Sequence, residues 1–263
     1  MASTFKNFAA SDVATTRTLL HEAIPVTGTI VSGTYSDENI KYFSSGLFVS
    51  VFDYPFLSSS ANHIFDITAG YASGSDFSDA TNVQNQKKIN IYNQFAQVLV
   101  PYDVSGNIQQ FDQDGNIAGG GTKMDSAFFI SFGRLLAKDE IKKGSFRFDM
   151  FANSPASSPP HLHADLETIG DYGAATSFKQ NSPTGEYGLL YSSSLDAGTT
   201  DKSVGHIYYQ AGVAVITSSF FRGAVPTMTT GSAMSTITTG SVEDVFVSGT
   251  IDEVSNAIRY AYA

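Results

Sequence analysis

The stretch "GHIYYQAGVAVITSS", Gly205–Ser219, contains one histidine, one glutamine and no residue of fixed charge. Tyrosine, valine and isoleucine fill it. Branching at Cβ restricts χ1, and together with aromatic bulk this suits a pleated, half-buried surface better than a helix. Gly212 interrupts the run with a residue that tolerates the torsions of a tight bend. The reading is therefore two short strands bent at Gly212. Tyr208, Val213 and Val215 are expected in a sheet core, with Tyr209 or His206 facing a partner.

The same material recurs on either side of this stretch. "VTGTIVSGTY" and "IKYFSSGLFVSVFDYP", between Val26 and Tyr54, are rich in β-branched and aromatic residues and are cut by Gly28, Gly33 and Gly46. They read as strands joined by tight turns. His63–Tyr71, Tyr187–Ser192 and the alternating Ser145–Phe151 are further strands, the last with Phe146, Phe148 and Met150 on one side. "SAFFISF" from Ser126 fits a strand or a short helix. Residues near 152–186 read as an irregular loop, and "PTMTTGSAMSTITTGSVED" as a polar surface ribbon or loop.

Helical signals are fewer. "SDVATTRTLLHEA" follows an arm, residues 1–10, and begins at a cap residue, Ser11 or Asp12. In "NVQNQKKINIYNQFAQVLVPYD", Ile91, Phe95, Val98, Leu99 and Tyr102 recur at helical spacing, and the opposite face is rich in amides rather than charges. "GTIDEVSNAIRYAYA" closes the chain as a helix over 251–263, capped by Thr250, with Ile251, Val254, Ile258 and Tyr262 on one face. The expectation is a mainly β protein, a β-sandwich-like core with about three peripheral helices, with α+β as the alternative. Residues 11–250 would form a single domain.

Composition narrows the function. Across 263 residues there is no cysteine, which excludes disulfide scaffolds, thiolate metal sites and thiol nucleophiles. A net charge of −10 argues against a nucleic-acid surface. The one basic run, Lys138, Lys142, Lys143 and Arg147, is interleaved with Asp139, Glu140 and Asp149. No apolar run is long enough to cross a membrane. "MASTFKNFAASD" has no hydrophobic signal core, so secretion is not expected. Charged residues make up only 15%, and a surface so poor in charge points to partners that cover it.

Candidate chemistry is thin. Asp112, Asp114 and Asn116 match positions 1, 3 and 5 of a calcium loop, but Ile117 and Lys123 stand where that loop needs Gly and Glu. An ordinary Asp-Gly turn is expected. His161 and His163 alternate along an extended segment and could offer two imidazoles to one metal, with Asp165 as a third ligand. They are weak candidates, because they follow two prolines in a polar loop. His63 and His206 lie in strand-like runs, where core or interface histidines are the default. "GGGTK" lacks the spacing of a phosphate loop, and no G-x-S-x-G elbow is present. No catalytic residue, cofactor or small-molecule substrate is assigned.

Several segments, "SDVATTRTLLHEAIPVTGTIVSGTY", "VFDYPFLSSSANHIFDITAGYASGS", "KINIYNQFAQVLVPYD", "RLLAKDEIKKGSFRFDM" and "VGHIYYQAGVAVITSS", resemble virion structural proteins of contractile-tailed cyanobacterial phages. The likeness covers most of Thr4–Ser219 and returns in "GTIDEVSNAIR". It implies a non-enzymatic virion part, a subunit of the tail baseplate, present in several copies and bound to other tail and baseplate proteins. It would be assembled in the host cytoplasm. Alternatives carried forward are a neck, collar or capsid-associated protein and a receptor or carbohydrate-binding module. The absence of tryptophan counts against the last, because sugar rings stack on broad aromatic faces.

Overall fold

The computed structural model describes residues 40–54, 56–58, 61–78, 82–117, 121–133, 139–151, 166–199, 202–221, 225–228, 237–240 and 246–259. The expected arm, the first helix and the His161–His163 segment lie outside them.

The architecture follows from the apolar strands. An eight-stranded sheet takes the order β1 (Ile40–Tyr42), β2 (Val49–Phe52), β3 (His63–Tyr71), β4 (Ser126–Phe132), β10 (Val213–Thr217), β9 (Gly205–Tyr208), β8 (Gly185–Leu190) and β7 (Lys179–Ser182). Every pairing in it is antiparallel. Two-stranded ribbons join β5 (Arg147–Phe151) to β6 (Leu166–Gly170) and β11 (Val225–Met228) to β12 (Ile237–Gly240). The helices are α1 (Asn85–Leu99) and α2 (Ile251–Arg259), and residues 246–248 are also helical. The protein is mainly β with few helices, as expected.

Register explains why the central strands lack the usual alternation of apolar and polar residues. Ile67, Ile130, Ala214 and Ile207 line up across β3, β4, β10 and β9 on one face. Thr68, Phe129, Val215 and His206 line up on the other. Both rows are buried, because both faces are covered, and a sheet covered twice reads as a continuous apolar run. That resolves "SAFFISF" as strand. It also shows how the sandwich-like expectation is met: the layers over the sheet are mixed rather than a second large sheet.

On the first face, Phe146 and Phe148 reach down beside Phe132 and Phe65 with ring centroids 5.5–6.4 Å apart. Ile169 of β6, Phe221 after a 3-10 turn (Ser218–Phe220), Phe246 and Val254 complete that cluster. On the second face lies α1. Phe95 stacks flat on Phe129 at 4.3 Å, and Tyr92 meets Phe111 and Phe129 edge-on. Gly70 of β3 is required here, since a Cβ would fall 2.4 Å from the Lys88 carbonyl oxygen and 2.9 Å from the Tyr92 nitrogen.

The opening stretch behaves largely as expected. β9 and β10 form a hairpin whose turn includes Gly212 at φ 67°, a left-handed conformation that suits glycine. Tyr208, Val213 and Val215 are core. Neither His206 nor Tyr209 faces outward, however. Each is at most 2% exposed, because the layers on both faces bury both sides of the hairpin.

Two further expectations change. The region near 152–186 is not loop throughout, since β6 and β7 fall within its described part. β7 reads "KQNS", and its polar residues hide an edge strand paired irregularly to β8. On α1 the buried stripe is Lys88, Ile91, Tyr92, Ala96 and Leu99, whereas Val98 and Tyr102 are 56% and 52% exposed. The stripe is rotated because a charged lysine sits inside it. At the chain's end, α2 runs Ile251–Arg259 with a capping box: Glu253 N–H donates to Thr250 Oγ1 at 3.3 Å and Thr250 N–H to Glu253 Oε2 at 2.7 Å.

Candidate functional site

Among the described residues, no group of three or more His, Cys, Asp or Glu side chains is placed to hold a metal. His161, His163 and Asp165 are outside them. The Asp112–Asn116 segment is the expected turn. Gly115, at φ 71°, donates its N–H to the Asp112 carbonyl at 3.0 Å, and Asn116 N–H donates to Asp114 Oδ1 at 2.7 Å. The ammonium of Lys123 pairs with the buried Asp112 carboxylate, occupying the place a cation would take. Burial and the contact with Asp114 push the Asp112 carboxyl up, while the same contact and the Asn116 N–H hold Asp114 down. Phe111 and Met124 are both tied to α1, where Tyr92 O–H donates to the Met124 carbonyl at 2.7 Å and accepts from Phe111 N–H at 3.2 Å.

The strand histidines differ. His63 Nε2 meets Asp66 Oδ1 at 2.8 Å, and Ser50 Oγ donates to the same oxygen. His206 is enclosed by Phe111, Tyr187 and Tyr208, with ring centroids 5.2–6.5 Å away. Its Nδ1 lies 3.3 Å from the Tyr208 hydroxyl. Its Nε2 makes no hydrogen bond of normal geometry, although the backbone at Asp112 and Gln113 is near. Burial holds the imidazole down, to about 4.

Two buried charges organise the rest, and neither was picked out from sequence. Asp171 is fully buried and accepts from Gly144 N–H at 2.6 Å, Phe146 N–H at 3.0 Å and Tyr209 O–H at 2.9 Å. Arg147 Nη1 adds a contact at 3.2 Å, and its guanidinium lies 4.1 Å over the Tyr172 ring. Burial pushes the carboxyl up against the pull of these donors. Lys143, the other side of that basic run, pairs with Glu186 and covers Phe178. Lys143 and Arg147 of that basic run are thus paired within the structure.

Lys88, 1% exposed, is the second. Its ammonium donates to the carbonyls of Phe246 at 2.5 Å and Gly249 at 2.7 Å, and to Asn82 Oδ1 at 3.0 Å. Burial lowers it to about 8, opposed by the charge of Glu253, so it stays protonated at neutral pH. One signal could have found it: a lysine three and four residues before Ile91 and Tyr92 sits on the buried stripe of α1.

What remains for contact with other molecules is surface. From the last turn of α1 onward, Val98, Tyr102, Val104 and Ile108 are all exposed, Val104 fully. Tyr42, Leu47, Tyr54 and Leu57 are exposed along 42–57, beginning at β1, which ends the strand order. Comparison with protein-family models, with curated proteins and with solved structures gives no match. Scattered apolar residues are ordinary on any protein, but runs of them beside a chain this poor in charge suit contact with another protein.

Proposed function

We propose that this chain is a non-enzymatic structural subunit of a phage tail baseplate, assembling through contacts with neighbouring virion proteins. The observation that carries the reading is the exposed apolar run Val98, Tyr102, Val104 and Ile108, outside a sheet already covered on both faces. A subunit that bears load needs a core that does not depend on its neighbours and apolar surface left over to meet them. The buried charges support the same reading. Asp171 holds a turn to a hairpin and Lys88 holds α1 to the 246–249 segment. The resemblance to virion proteins of contractile-tailed cyanobacterial phages supplies the context.

Antibody raised against the purified chain, gold-labelled and applied to contractile-tailed cyanophage particles that carry it, tests the reading. Label at the distal end of the tail is the expected result. Label at the neck or on the capsid would move the protein elsewhere in the virion, and absence of the chain from purified particles would remove the proposal.

A further inference from the structure

We propose that the outer face of α1 is a self-association surface, on which a second copy of this chain packs antiparallel about a two-fold axis near Gln94. Lys87, Asn90, Gln94, Gln97 and Val98 are exposed and recur at spacings of three and four, which places them on one face of the helix. Three features point to a second copy as the occupant.

Charge comes first. The chain carries −10, so two copies repel wherever acids face each other. Only one of its 25 acidic residues, Asp103, falls within 82–110, against two lysines, Lys87 and Lys88. The segment thus carries few acids of its own, and the nearby Asp252 charge lies within reach of Lys87.

The amides come next. A primary amide donates and accepts, so a stripe of Asn and Gln is complementary to itself. A two-fold interface sets the same patch against itself and needs that property. A helix face built for water would more commonly carry charges.

The ends of the stripe agree. Symmetry about position 94 sets Asn90 opposite position 98, and Lys87 opposite position 101, two residues from Asp103. Lys87 lies about 10 Å along the axis from Gln94, at 1.5 Å per residue. In an antiparallel pair each Lys87 therefore approaches the partner's Asp103. That carboxylate is held below its usual range by hydrogen bonds from Asn107 and from the Ser105 and Gly106 backbone. Val98 and Tyr102 supply the apolar contact at each end.

A single helix face is smaller than the roughly 800 Å² per partner of a standard interface, so the pair is expected to be weak. The inference stands apart from the baseplate reading, since a dimer in solution does not depend on where in a particle the chain sits.

The absence of cysteine permits a direct test. Sedimentation equilibrium of the purified chain should show monomer and dimer, and Gln94→Glu, which sets two carboxylates face to face at the axis, should weaken association at least tenfold. Under mild oxidation Gln94→Cys should cross-link far faster than Leu195→Cys, a control at an exposed position away from α1. Both sites are exposed, so circular dichroism should be unchanged. A wild-type chain that stays monomeric near 1 mM would overturn the proposal. So would association that Gln94→Glu leaves intact, or equal cross-linking at 94 and 195.

Discussion

His206 is neutral in the folded protein because its aromatic enclosure offers an imidazolium too little stabilisation. Its pKa falls from 6.5 to about 4 with burial as the main cause, whereas in the unfolded chain it returns to the ordinary value. Between those limits the unfolded state binds the extra proton. The contribution to stability is therefore complete above about pH 6.5 and is lost as pH falls through about 4, on the order of 3 kcal/mol in full. The groups around it are the Tyr187 and Tyr208 hydroxyls, the Asp112–Lys123 pair, Asp114 and Lys179. Asp112 and Asp171 have raised values and titrate in the opposite sense, so the test is a difference. Urea denaturation of wild type and His206→Phe between pH 7.5 and 4 should show the wild type losing more stability on acidification. Parallel pH profiles would mean that the imidazole is not held neutral.

Among the elements, α1 joins the sheet to the C-terminal segment, and two residues set its seat. Gly70 lets the helix backbone lie against β3. Gly70→Ala is expected to cost about 2–3 kcal/mol, because backbone atoms stand where the methyl would go and cannot swing aside. A thermal midpoint equal to wild type would refute that close approach. Lys88→Met leaves three buried acceptors without their donor and should loosen the 246–259 segment. Hydrogen exchange should report at least tenfold less protection there, with β3, β4 and β10 unchanged. Uniform loss across the sheet would contradict a local clamp. Long apolar or alternating runs were legible in advance: His63–Tyr71 is β3 to the residue, and the Gly212 hairpin forms where its composition placed it. What escaped were elements whose stability comes from partners rather than pattern. β7 is polar and is held by β8, with Ser182 Oγ donating to the Leu99 carbonyl at 2.6 Å. The rotation of α1 depends on Lys88, which hydropathy reads as surface although Asn82 and the Phe246 and Gly249 carbonyls hold it inside.

At the scale of the molecule, one eight-stranded sheet is shut between α1 with its loop on one side and the β5–β6 ribbon with the 3-10 turn and C-terminal residues on the other. The candidate contact surface was partly visible beforehand, since low charge and the amide-rich face of α1 can be read directly. The exposed run from Val98 to Ile108 was not, because two of the residues assigned to the helix core belong to it. On the proposed function, this apolar and aromatic content holds a scaffold and its neighbours together in a tail baseplate. A map of the intact cyanophage particle, with the eight-stranded sheet docked into it, tests that claim most directly. The predicted result is sheet density in the baseplate, in several copies, with the 98–108 surface against another protein. Density for the chain only in the capsid or neck, or a baseplate copy whose 98–108 surface faces solvent, would contradict the account.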